Sequence, residues 1–129
     1  MKRLLLATGL IALAAISAAC SSAVAKPVPT AASGPVDPSG PTIVAKDMAF
    51  SPSTVEIAAN KSVTVHFDNQ ESAPHNVAIY KDSSASEKIS VGEIVTSSKA
   101  DQVVPALAAG SYFFRCDVHT NMTGTIVVK

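Results

Sequence analysis

The sequence predicts an all-β domain, a β-sandwich of seven to eight short strands over residues 42–129. Three observations carry this. Apolar and polar residues alternate with period two in short runs, turn-forming residues separate those runs, and no segment holds a helical period. Short strands at this spacing bury their apolar rows by packing as two sheets around one core.

The expected strands are 42–45, 54–57, 62–67, 76–80, 93–96, 101–104, 111–115 and 123–128. Ser51-Pro52-Ser53 separates the first two, and Ala59-Asn60-Lys61 the second and third. In the third, Val63, Val65 and Phe67 share one face while Thr64, His66 and Asp68 share the other, which puts His66 toward solvent as a surface polar residue. Asp68-Asn69-Gln70-Glu71 ends that strand, and Ala108-Ala109-Gly110 precedes the seventh. There Tyr112, Phe114 and Cys116 share a parity, so Cys116 lies on the inward row at a strand end. After Gly124, Ile126 and Val128 form the inward row of the last strand.

The chain has 129 residues, enough for one modest core once the N-terminal segments are set aside. Met1-Lys2-Arg3 and the apolar run from Leu4 to Ala19 have the layout of a signal peptide, 1–19, too short to read as a mature membrane span. Ile16-Ser17-Ala18-Ala19-Cys20 resembles a bacterial lipobox, which implies cleavage before Cys20 and lipid attached to it. A cut after Ala25 is the alternative and would release a soluble protein. Residues 20–41 are rich in Ala, Ser and Pro, with five prolines and no aromatic residue, and form a flexible tether.

Ten basic and ten acidic residues are interspersed, giving zero formal charge. Nothing in that balance points to nucleic acid or to steering toward a highly charged partner, so partner choice rests on a local surface. With Cys20 removed or acylated, Cys116 is the one cysteine of an exported domain, where paired thiols ordinarily become disulfides. A lone thiol there is either inert core or functional.

The spacing favours function. Cys116, His119 and Met122 each lie three residues apart in Cys-Asp-Val-His-Thr-Asn-Met, so one tight loop can turn all three toward a point, and His75 in Ala-Pro-His-Asn-Val closes the group from another loop. One thiolate, two imidazoles and a thioether are the donors of a blue-copper site, with His75, Cys116 and His119 in a trigonal plane and Met122 weakly axial. Zinc competes for Cys and His, but a closed structural site wants four such ligands and a thioether serves zinc poorly. A Cys-His hydrolase is the enzymatic rival, yet no Gly-rich nucleophile turn accompanies Cys116 and Met122 would be unexplained.

These residues resemble the cupredoxins, and within them the amicyanin branch of small plastocyanin-like proteins. The resemblance runs through Met48-x-Phe50-x-Pro52, Pro74-His75-Asn76-Val77 and Gly110-x-Tyr112-x-Phe114-x-Cys116-x-x-His119-x-x-Met122-x-Gly124. It implies a Greek-key sandwich holding one Cu(I)/Cu(II) ion. It also implies that Asn76, beside the first His, ties the ligand loops together and tunes the potential from outside the ligand set. The loop departs from amicyanins at Asp117-Val118 and Thr120-Asn121, where they carry prolines beside the second His.

The function implied is a monomeric one-electron carrier, not an enzyme, that docks transiently with redox proteins around His119. It would be periplasmic or at the cell surface, held to the membrane through Cys20. A Cu(I) delivery or protection protein is the alternative; the single ligand set, without Met-rich or His-rich tracts, argues against high-capacity storage.

Overall fold

The structure is a computed structural model that describes residues 37–129. The signal peptide, Cys20 and the tether up to residue 36 lie outside the described residues. Those described form nine strands and no helix: β1 (Thr42–Lys46), β2 (Ala49–Ser51), β3 (Thr54–Ile57), β4 (Val63–Asn69), β5 (Ala78–Tyr80), β6 (Lys88–Val91), β7 (Lys99–Val104), β8 (Gly110–Arg115) and β9 (Thr123–Val128).

They make two sheets, ordered β2-β1-β4-β7 and β3-β9-β8-β5-β6. The β1/β4 and β3/β9 pairs are parallel and the other pairs antiparallel. The core lies between the sheets and follows the alternation in the sequence. Val63, Val65 and Phe67 of β4 face inward, as do Tyr112 and Phe114 of β8 and Ile126 and Val128 of β9.

Aromatic rings fill the centre. Phe50 meets Phe67 edge-on at 6.3 Å between centroids and Phe114 at 5.3 Å. Phe114 lies so close to β9 that a Cβ on Gly124 would overlap its ring and approach the Ser53 carbonyl oxygen to 2.6 Å. The missing side chain at Gly124 is thus what lets the Phe114 ring pack against β9.

Two elements depart from the expected strands. β2 is three residues long and pairs with β1 through the turn Asp47-Met48, in which both residues have positive φ, 52° and 57°. The sixth strand forms at Lys88–Val91 rather than 93–96, because β5 offers its edge there, pairing Ala78 with Val91. Residues 93–96 instead lie in the crossing from one sheet to the other. Val95 makes a two-bond bridge with His75, N–H to carbonyl in each direction at 3.1 and 3.0 Å.

Residues 37–41 run beside β4. Asp37 bridges to Val63, and His66 donates its backbone N–H to the Pro41 carbonyl at 2.9 Å. The His66 side chain lies on the outer face, as the alternation predicts, and is saturated: Nδ1 contacts the Asp101 carboxylate at 2.7 Å and Nε2 the Pro38 carbonyl at 3.0 Å.

Candidate metal centre

Two loops at one end of the sandwich carry the candidate ligands. The first leaves β4 and delivers His75 before β5; the second joins β8 to β9 and carries Cys116, His119 and Met122. The second loop is closed by its own backbone. Cys116 N–H donates to the Met122 carbonyl at 3.0 Å and Met122 N–H to the His119 carbonyl at 2.9 Å, so the three-residue spacing becomes one tight turn.

The side chains converge. The ligand atoms of His75, Cys116 and His119 all lie within 4.8 Å of one another. Cys116 Sγ is 3.7 Å from His75 Nδ1 and 4.0 Å from His119 Nδ1, and the two Nδ1 atoms are 3.1 Å apart. His75 and Cys116 are fully buried, Met122 is 2% exposed, and His119 is partly exposed. Met122 belongs to the same buried cluster as Cys116.

These separations suit one shared ion. With bonds of about 2.0 Å to nitrogen and about 2.3 Å to sulfur, a nitrogen and a sulfur on one metal lie at most about 4.3 Å apart. Both S···N distances fall inside that limit. The donor set, one soft sulfur with two imidazoles and a buried thioether nearby, is that of a copper site. The Cys116 sulfur also accepts the His119 backbone N–H at 3.4 Å.

The Cupredoxin-like domain profile matches residues 9–128. The chain belongs to the cupredoxin-like family. No curated protein sequence matches it. Among solved structures it is similar to auracyanin A, a blue copper protein of the green thermophilic photosynthetic bacterium Chloroflexus aurantiacus (21% identity, 70% of this chain and 100% of that one, TM-score 0.60). It is also similar to auracyanin from Roseiflexus castenholzii (18%, 72% and 98%, TM-score 0.63) and to amicyanin from Paracoccus versutus (29%, 77% and 88%, TM-score 0.55).

Around the ligand cluster of this cupredoxin-like domain, Asn76 spans three segments. Its Oδ1 accepts the Asp117 backbone N–H at 2.9 Å, and its Nδ2 donates to the Gly92 carbonyl at 3.3 Å. Asp117 faces outward into a compact charged group. Its carboxylate accepts from the Tyr80 hydroxyl at 2.6 Å, Lys88 at 3.0 Å and Arg115 at 3.3 Å. Burial pushes the Asp117 carboxyl up, but these donors outweigh it and hold the group below the usual carboxylate range.

One neighbour of the ligands escapes sequence reasoning. Glu71 Oε2 lies 2.8 Å from His75 Nε2, and Glu71 Oε1 accepts the Met48 backbone N–H at 2.9 Å. That N–H, and then the His75 ring, hold the Glu71 carboxyl below its ordinary range. In the sequence, Glu71 reads as one residue of a polar turn.

Proposed function

We propose that this chain is a mononuclear type 1 (blue) copper protein that carries single electrons between extracytoplasmic redox partners and is not an enzyme. The observation that supports this reading most is the convergence of one thiol and two imidazole nitrogens within 4.8 Å. His75, Cys116 and His119 would hold the ion, and Met122, buried in the same cluster as Cys116, would add a weaker sulfur donor. Copper supplies a one-electron couple, Cu(I)/Cu(II), when bound. The donor set counts against a closed zinc site, which lacks its fourth Cys or His here.

The protein contributes orientation, shielding and access. Backbone bonds within the 116–122 loop and the Asn76 tie between loops hold the donors in place, so little needs to move with the charge. Burial of His75, Cys116 and Met122 excludes water from one side. His119 alone among the four is partly exposed, and the residues around it, Pro74, Val118 and Thr120, are exposed and uncharged. We assign this neutral surface as the docking patch for redox proteins, whose contacts are small and short-lived.

The lipobox-like run at Cys20 supports export with a lipid anchor, and the Pro-rich composition of 20–41 supports a tether, its last residues from Asp37 held against β4, that would keep the domain at the outer side of a membrane.

Titration of the purified protein with Cu(II) beside Cys116→Ala tests the reading. An intense blue thiolate-to-copper band at one equivalent, bleached by ascorbate and absent from the variant, is the expected result. A folded protein without that band would overturn the carrier reading and favour Cu(I) delivery.

A further inference from the structure

The geometry points to Glu71 as the positioning residue of the site: its carboxylate accepts the His75 Nε2 proton, which keeps Nδ1 free and aims it at Cys116 and His119. This rests on the copper reading for its consequence, though not for its geometry.

Three observations support it. His75 presents its two ring nitrogens to different partners, Nε2 to Glu71 at 2.8 Å and Nδ1 to His119 and Cys116 at 3.1 and 3.7 Å. A ring nitrogen facing a carboxylate carries the proton, which leaves the other as the lone-pair donor.

Glu71 is itself held on every side. Its N–H donates to Asn69 Oδ1 at 2.9 Å, and its carbonyl accepts from Ser97 N–H at 2.8 Å and the Ser97 hydroxyl at 3.1 Å. Its second carboxylate oxygen takes the Met48 N–H. A carboxylate fixed this way can orient a fully buried imidazole rather than follow it.

The Met48 N–H comes from a turn of uncommon composition. Two-residue hairpin turns with positive φ at both positions favour Asn-Gly or Asp-Gly, and a left-handed methionine is disfavoured. Asp47-Met48 nonetheless adopts it, with its N–H on Glu71. Sites that retain such backbone conformations do so where surrounding contacts demand them.

A carboxylate on a ligand imidazole raises the ligand's basicity, and removing such a partner typically weakens metal binding about tenfold or more. The loss falls hardest on the more highly charged ion, so Cu(II) suffers before Cu(I). A tenfold relative loss for Cu(II) raises a one-electron potential by about 59 mV.

The test uses the full chain with and without copper, comparing wild type, Glu71→Gln and Glu71→Ala, with Met48→Gly as a control that keeps the N–H. Long-range nitrogen-proton NMR of the metal-free protein is expected to find His75 protonated at Nε2 in wild type and in Met48→Gly, and as a tautomer mixture in Glu71→Ala. In the copper protein, Glu71→Gln keeps the blue band but has a higher potential and about tenfold weaker Cu(II) binding, while Met48→Gly leaves both unchanged. A wild-type His75 protonated at Nδ1, or an unshifted potential in both Glu71 variants, overturns the proposal. Absence of a blue band in wild type would defeat the copper reading alone, since the tautomer is read without metal.

Discussion

Asn76 and Asp117 are joined by one hydrogen bond, the Asp117 backbone N–H donating to Asn76 Oδ1 at 2.9 Å. Each follows a candidate ligand, His75 and Cys116, so the bond couples the two loops that form the site. Asn76 is buried, and no other bond from its side chain reaches the Cys116 loop.

Asn76→Ala orphans the Asp117 N–H and is expected to destabilise the fold by about 1–3 kcal/mol while copper is retained. The potential shifts because the ligand loops lose their shared restraint. Chemical denaturation reads the first effect and voltammetry the second; an unchanged potential would refute the tuning role.

Met122 separates packing from ligation. Met122→Leu conserves volume and is expected to cost less than about 1.5 kcal/mol, whereas Met122→Ala leaves a cavity worth about 2–5 kcal/mol. If the sulfur is axial to copper, both variants raise the potential, because Cu(II) loses a donor. Equal potentials in Met122→Leu and wild type would reduce Met122 to core filler.

Gly124→Ala tests the close approach of β9 to Phe114. The added methyl has no room between the Phe114 ring and the Ser53 carbonyl. Overpacking of this kind costs about 1–3 kcal/mol. Thermal unfolding should show the loss, and combining Gly124→Ala with Phe114→Leu should cost less than the sum of the single changes. Strict additivity would mean that the two residues do not compete for space.

His66 gives the stability a pH dependence distant from the metal centre. The Asp101 carboxylate, and then the Pro38 carbonyl, raise the His66 imidazole above its ordinary 6.5. Its stabilisation is fully present below that unfolded value and is lost as pH rises through the higher folded one. Melting temperatures across this window should therefore fall less steeply in His66→Gln than in wild type. Parallel curves, or an NMR titration of His66 at or below 6.5, would contradict this.

Much of the molecule is legible from local pattern. Period-two alternation reports which face of a strand is buried, and it reads β4, β8 and β9 correctly because each packs one face on the core. Cys116, His119 and Met122 are legible as neighbours on one loop and His75 by its chemistry; the ligand atoms of His75, Cys116 and His119 lie within 4.8 Å of one another, and Met122 is buried in the same cluster as Cys116. What the tertiary structure decided was pairing across distance. The sixth strand lies at Lys88–Val91 because β5 supplies hydrogen-bond partners there, while Val95 bonds to His75 instead. β2 has three residues, too few to display a period, and exists because a left-handed turn returns it to β1. Glu71 meets His75 and Met48 only when the β1–β2 turn and the His75 loop come together. Side-chain alternation is written in neighbouring residues, whereas strand edges and hydrogen-bond partners belong to segments that meet only when the two sheets close on each other.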